Sequence, residues 1–145
     1  MELKRVAVLS TTVAAALVAG SGIAAAEADY AITPKEAMAR AYIDALVSHN
    51  ASAVKFTPDA TRVEAGLQTG YSGPQLTEDL NHGVQYSVIQ GIHDLRMSQD
   101  GDLVTTRYLL DSGLLGVRLA TVDITETFVI PDDSIKTIVA TIVPV

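Results

Sequence analysis

The chain of 145 residues contains no cysteine. Disulfide bonds, thiol catalysis and thiolate metal sites are therefore excluded, and the folded domain must be stabilised by its hydrophobic core. The absence also excludes a lipid-modified cysteine behind an export signal. An exported form of the chain would be released or loosely retained rather than acylated.

Basic residues are few, with ten Lys and Arg against seventeen Asp and Glu, and the formal net charge is −7. Removing the N-terminal segment described below leaves eight basic and sixteen acidic side chains, a formal charge of −8. Because such a surface repels phosphate backbones, we expect no nucleic acid partner.

Motifs for metal or cofactor binding are also missing. The three histidines, His49, His82 and His93, are scattered and show no metal-ligand spacing. No Gly-rich phosphate loop follows a predicted strand, and no Gly-x-Ser-x-Gly nucleophile motif occurs. The sequence therefore predicts neither a metal site nor a cofactor.

The N-terminus has the pattern of a secretory signal peptide. Two basic residues precede an apolar run over 6–19, and small residues follow, ending in three alanines at 24–26. We predict a signal peptide over 1–26, with cleavage after Ala26 or Ala28. The apolar run is shorter than the ~20 residues that span a bilayer. We therefore expect a secreted or envelope-associated protein without a stable membrane span.

The remaining residues, 27–145, are enough for one domain and too few for two. Thr33 and Glu36 form a capping box, with Pro34 at the first helical position, and begin a helix that ends at His49-Asn50. A second helix is predicted from Pro74 to Gly83. A short edge strand over 61–66 lies between the helices, and four long strands follow them. This order predicts an α+β domain in which helices cover one side of an antiparallel sheet.

The first two long strands form a hairpin, because Asp100-Gly101 between β-rich runs is typical of a tight turn. This turn places Met97 opposite Val104 and His93 opposite Tyr108 on the apolar face. Nearer the start of the first strand, the apolar residues occupy the alternate positions, which face the other side of the sheet. We predict that a bulge at Gly91 switches the faces there.

The chain resembles the nuclear transport factor 2-like superfamily, which includes SnoaL-like and ketosteroid-isomerase-like proteins. The similarity runs from Thr33 to Val143 and is carried by the segments 41–46, 56–60 and 128–130. It implies a cystatin-like fold, in which a curved antiparallel sheet forms a cone covered by N-terminal helices. Within the superfamily the chain looks most like secreted actinobacterial and fungal domains of unknown function.

Enzymes of that superfamily use several different pocket groups. Isomerases use an Asp base with a Tyr and a protonated Asp, dehydratases a His-Asp pair, and relatives of limonene-epoxide hydrolase an Asp-Arg-Asp set. None of these sets can be placed on this sequence residue by residue. The resemblance therefore transfers no catalytic residue.

The sequence itself indicates one carboxyl group as a candidate for catalysis. Strand alternation puts Glu126 on the same side as Ile124 and Phe128, where an unpaired carboxylate is costly. A carboxyl with a raised pKa in such a place is a candidate general acid or base. The alternatives are a position near a strand bend or an ion pair with Arg118, which shares its parity.

The facing pair His93 and Tyr108 supplies two more candidates, which together with Glu126 would move a proton. The alternative for His93 is a hydrogen-bonded core residue. Three aromatic side chains are predicted to line the pocket: Tyr42, Tyr86 and Phe128.

Two functions are consistent with these features. The first is a secreted, non-catalytic domain that binds a small apolar ligand or a protein partner. The apolar pairs 109–110 and 114–115 would then form either an apolar rim or a homodimer contact. The second is an isomerase, dehydratase or hydrolase that acts on a small hydrophobic molecule by general acid-base chemistry in the cone.

Overall fold

The computed structural model of the protein describes residues 31–145. The predicted signal peptide and both predicted cleavage positions lie outside this range. In chain order the elements are α1 (Pro34–Ser48), β1 (Phe56–Glu64), β2 (Leu67–Gly70), α2 (Gly73–His82), a 3-10 turn (Val84–Tyr86), β3 (Ile89–Asp100), β4 (Leu103–Leu114), β5 (Val117–Val129) and β6 (Ile135–Pro144).

Helix α1 begins where the capping box predicts, and α2 begins at Gly73, one residue before the predicted start at Pro74. Thr33 and Glu36 form the expected capping box at α1, and Ser72 accepts a hydrogen bond from the third residue of α2. His49 caps the C-terminal end of α1 in the left-handed conformation (φ 57°). The following residue, Asn50, is of a type that adopts this conformation more readily. One side of α1 is buried against the sheet: Ala39, Tyr42, Ile43, Ala45 and Leu46.

The strands form one curved, unclosed sheet in the order β2-β1-β6-β5-β4-β3. The four long strands pair antiparallel, which confirms the predicted α+β architecture. The pair β1–β6 is parallel, so the sheet is mixed. Residues 61–64 of the predicted edge strand belong to β1, which is an interior strand because β2 pairs with its outer side.

The hairpin of β3 and β4 forms, but its register is shifted by two residues from the prediction. The loop is Gly101-Asp102 rather than Asp100-Gly101, so Met97 lies opposite Thr106. Gly101 has φ 65°, which glycine adopts without strain. Because side chains alternate with a period of two, this shift by itself leaves the side chains on their predicted faces.

A bulge at Asp94 has the larger consequence. Asp94 has φ 59°, and the pairing slips by one residue between His93 and the strand beyond the bulge. His93 therefore lies opposite Leu109, and the predicted pair of His93 with Tyr108 is wrong. A pairing irregularity is also present beside Gly91, but the slip at Asp94 is the one that moves His93 to the other face.

The helix α1 covers one face of the sheet, termed the inner face, and the core lies between them. Tyr42 packs edge-on against Phe128 and Phe56, with ring centroids 5.4 and 6.2 Å away. Across residues 31–145, no helix is both long and apolar enough to cross a membrane.

Candidate functional site

A cavity of about 260 Å³ lies between α1, the segment before β3 and the inner face of the sheet. This is the volume of roughly nine water molecules at liquid density. Val88 and Ile142 line it and are partly exposed, so the cavity reaches solvent beside them. Its wall is mostly aliphatic, and most of its polar side chains form one group, termed the polar cluster: Tyr42, Glu64, Tyr86, Tyr108 and Glu126.

The centre of the polar cluster is a buried pair on adjacent strands. The Tyr108 hydroxyl on β4 donates a hydrogen bond of 2.7 Å to Oε1 of Glu126 on β5, and each residue is only 2% exposed. The Thr106 hydroxyl binds the Glu126 carbonyl oxygen and helps to fix the two strands beside the pair. Both side chains are therefore held in place before any ligand arrives.

Burial raises the pKa of the Glu126 carboxyl to about 7. The hydrogen bond from Tyr108 and the positive charge of Arg62 act in the opposite direction, while the nearby Glu64 carboxylate raises the pKa further. A carboxyl that titrates near neutrality inside an apolar cavity is able to accept or to donate a proton.

Tyr42 is a second buried polar residue of the cavity lining. Its hydroxyl is fully buried and has no hydrogen-bond partner, and neither has Nη1 of Arg62. The guanidinium lies close enough to act on the Tyr42 hydroxyl, but their geometry makes no hydrogen bond. Burial, more than any neighbouring charge, raises the pKa of Tyr42, so the phenol stays neutral.

Arg62 is fully buried on β1, next to the cavity. Its Nη2 donates to Asp79 on α2 at 2.9 Å, and its Nε donates to the Thr69 hydroxyl at 3.0 Å and lies 3.5 Å from Glu64. Close approach of β2 is possible because position 70 is glycine, where an added Cβ would lie 2.7 Å from the Arg62 Cβ. The charge is thus compensated inside the fold, as a buried arginine requires.

Glu64 connects this ion-pair network to the cavity. It accepts hydrogen bonds from the Tyr86 hydroxyl at 2.9 Å and from the Thr69 hydroxyl at 2.8 Å. The Arg62 guanidinium lies 5.3 Å from the centre of the Tyr86 ring. Burial raises the pKa of Tyr86, which keeps this phenol protonated as a donor.

The structure brings together two of the three predicted catalytic candidates, Glu126 and Tyr108. His93 lies away from the cavity, half exposed on the outer face, with Nε2 3.3 Å from Asp111. The one-residue slip at Asp94 is the reason. A catalytic role for any of the three remains a prediction.

The structure also places the three residues of the predicted pocket wall. Tyr42 and Tyr86 line the cavity, whereas Phe128 is a fully buried core residue packed against the Tyr42 ring and is not part of the wall. Arg118, the predicted alternative partner of Glu126, lies on the surface 3.7 Å from Asp111. The partner of Glu126 is therefore Tyr108.

Sequence reasoning missed the ion-pair network of Arg62, Glu64 and Asp79. The only signal was that Arg62 and Glu64 share one side of a strand, which is ordinary for a solvated edge. Their burial depends on β2 and α2 covering that side. Within the described part of the chain, no cluster of three or more His, Asp or Glu side chains is arranged to hold a metal ion.

Solved structures share the fold at low sequence identity. The structure superposes on an LEH-like epoxide hydrolase from M. tuberculosis with a TM-score of 0.64 and 15% identity, covering 75% of this chain and 82% of the other. A protein with a ketosteroid isomerase-like fold from Catenulispora acidiphila, solved in complex with trimethylamine, gives a TM-score of 0.56 and 16% identity, with 71% and 82% covered. An NTF2-like protein of unknown function from Cytophaga hutchinsonii gives 0.56 and 14%, with 79% and 93% covered.

These similarities confirm the predicted nuclear transport factor 2-like fold and say nothing further about chemistry. No curated protein matches the sequence. The family described as "Domain of unknown function (DUF8021)" matches residues 33–142, which is most of the described chain. The chain therefore belongs to the DUF8021 family, with a nuclear transport factor 2-like fold.

Proposed function

We propose that this protein binds a small, largely apolar molecule in the cavity and orients it through a polar group placed at Glu126 and Tyr108. The observation that carries the proposal is a hydrogen-bonded, buried acid-phenol pair inside an otherwise aliphatic cavity. Concave apolar sites with a few convergent polar groups are the usual form of small-molecule sites.

The size of the cavity supports the same reading. The cavity volume of about 260 Å³ suits a ligand of roughly ten non-hydrogen atoms, slightly below the usual range of such sites. A protein of the same fold solved in complex with trimethylamine is one case of a small organic molecule held by this architecture.

The proposal is tested by filling the cavity. Ala140 lines it and is almost fully buried, so Ala140→Leu should take up space that the ligand needs. Val139 is the neighbouring residue on β6 and is exposed, so Val139→Leu is the matched control. A panel of small alcohols, ketones and amines is screened by ligand-observed NMR. Binding that survives Ala140→Leu, or no binding by any compound, would contradict the proposal.

General acid-base catalysis is a second candidate function. It is favoured by the pKa of about 7 for Glu126, because such a group exchanges protons readily at neutral pH. Glu126→Gln keeps the size of the side chain and removes this ability. If the protein is an enzyme of the isomerase, dehydratase or hydrolase kind, turnover of a bound compound should be lost in Glu126→Gln while binding persists.

We also propose export through the signal peptide predicted over 1–26. N-terminal sequencing of the protein recovered from culture medium or envelope should begin at Glu27 or Asp29. Recovery of the chain with Met1 still attached would contradict this prediction.

We propose a homodimer through the β4–β5 turn, where Leu115 is almost fully exposed and Leu114 and Val117 are largely exposed. The predicted contribution of Leu110 is wrong, because its side chain is buried in the core. Sedimentation should show a dimer that Leu115→Glu converts to a monomer. A monomer for the unaltered chain would exclude this contact.

A further inference from the structure

We propose that the ligand of this cavity is a small alkylammonium ion, held between the tyrosine rings of the polar cluster and the Glu126 carboxylate. This inference rests on the proposed function and names the chemical class of its ligand. Its basis is the charge of the cavity and the aromatic content of its wall.

The lining of the cavity is acidic. Its lining contains two carboxyl groups, Glu64 and Glu126, and no Lys, Arg or His side chain. The two carboxyl groups differ in their partners. Glu64 lies 3.5 Å from the buried Arg62, whereas Glu126 has only the neutral Tyr108 hydroxyl as a direct partner among the described residues.

The positive charge of Arg62 is already balanced by two other carboxylates. Its guanidinium pairs with Asp79 at 2.9 Å and with Glu64 at 3.5 Å, so one positive charge faces two carboxylates before Glu126 is counted. Ionised Glu126 would add a third negative charge in a place with little access to water. A bound cation supplies the missing positive charge, whereas an anionic ligand would add to the repulsion.

Aromatic rings complete the environment. Three of the cavity-lining residues are tyrosines, Tyr42, Tyr86 and Tyr108, and alkylammonium groups bind well among such rings. The Tyr86 ring already has the Arg62 guanidinium 5.3 Å from its centre.

Choline and 3,3-dimethylbutan-1-ol separate charge from shape, because they differ only in having N⁺ or C at the branched centre. At pH 8, we expect choline to bind the intact protein at least tenfold more tightly than the neutral alcohol, as measured by NMR titration. Glu126→Gln should abolish the preference. Asp123→Asn, which removes a carboxylate from the outer face of the same strand, should keep it.

The pH dependence gives a second readout that a merely structural role would not produce. Choline does not titrate, so its affinity should fall as the pH is lowered through the Glu126 pKa of about 7, while that of the alcohol should not. The groups that act on Glu126 are Tyr108 from β4, Arg62 and Glu64 from β1, and Tyr42 from α1. Both tyrosines have raised pKa values and stay neutral over this range.

The possible outcomes are distinguishable. Equal affinity for the two compounds, or tighter binding of the alcohol, would overturn the alkylammonium inference and leave the proposed small-molecule function intact. A preference for choline that persists in Glu126→Gln would also overturn it. Failure of both compounds, together with failure of the wider panel, would overturn the proposed function itself.

Discussion

Two arginine-carboxylate pairs of similar geometry occupy opposite environments in this protein. Arg62 and Asp79 are 2.9 Å apart in the interior, whereas Arg107 and Asp123 are 2.6 Å apart on the outer face, where the Arg107 side chain is 64% exposed. The shorter pair is the more exposed one. Distance alone therefore does not rank their contributions, because water screens the outer pair and is excluded from the inner one.

The same contrast is repeated within β4 and β5. Adjacent positions on β4 point to opposite faces, so Arg107 meets Asp123 in solvent while Tyr108 meets Glu126 in the cavity. The hydrogen bonds from Arg107 lower the pKa of Asp123, whereas burial raises that of Glu126 to about 7. One pair of strands therefore carries one carboxylate that is always ionised at neutral pH and one that titrates there.

The largest expected effect comes from replacing the inner arginine. Arg62→Gln leaves Asp79 and Glu64 without their charged partner, and we expect the free energy of unfolding to fall by about 3 kcal/mol. Urea denaturation at pH 7 measures it. The matched substitution Arg107→Gln should change the stability little, because its site is solvated.

Equal losses in Arg62→Gln and Arg107→Gln would show that burial is not what separates the two pairs. If Arg62→Gln fails to fold, the contrast with a folded Arg107→Gln still supports the prediction, and the milder Asp79→Asn then supplies the measurement.

The next effect is the pH dependence that Glu126 gives to stability. Its folded pKa of about 7 exceeds its ordinary value of 4.5, so the folded state binds more protons between these values. The contribution is fully present below about pH 4.5 and is lost as the pH rises through about 7. We expect the difference in unfolding free energy between the intact protein and Glu126→Gln to change by about 3 kcal/mol over this range.

Carboxylates on the outer face act in the opposite sense. The pKa values of Asp111 and Asp123 are lowered, chiefly by hydrogen bonds from Thr121 and Arg107 respectively, so their stabilisation is lost as the pH falls. These contributions are the same in the intact protein and in Glu126→Gln. They therefore cancel when the two unfolding free energies are subtracted at each pH. A difference that stays constant from pH 4.5 to 8 would contradict the raised pKa of Glu126.

A smaller effect is expected from Tyr108→Phe. The substitution removes the hydrogen bond that lowers the Glu126 pKa, so that pKa should rise above about 7. The protein should lose about 1–2 kcal/mol of stability, because a buried carboxyl oxygen is left unsatisfied. Carboxyl-detected NMR titration measures the pKa, and an unchanged or lower value would show that Tyr108 does not set it.

Much of the fold follows from local sequence signals. The capping box at Thr33 and the serine cap before α2 fix the helix starts, and alternation over β5 places Glu126 on the inner face. These features depend on neighbours within a few residues. Their physical causes, capping and side-chain alternation, are therefore visible in the sequence.

Features that depend on distant segments were not predictable in this way. Arg62 is buried because β2 folds back and α2 supplies Asp79, 17 positions further along the chain. The slip at Asp94 requires a non-glycine residue at positive φ, for which the sequence gives no sign beyond the tolerance of aspartate for that conformation. One unpredicted bulge was enough to remove His93 from the site.

His93 provides the smallest expected effect and the sharpest test of the two faces. His93→Ala removes contacts with Asp111 and Asp94 on the solvated side of the sheet, so stability should remain close to that of the intact protein. Affinity for any cavity ligand should also be unchanged, because His93 does not line that cavity. Asp111→Asn removes the charge of the other member of the His93–Asp111 pair on the outer face and serves as the control. Loss of ligand binding in His93→Ala with the fold intact would mean that the hairpin pairs in the originally predicted register, with His93 facing Tyr108.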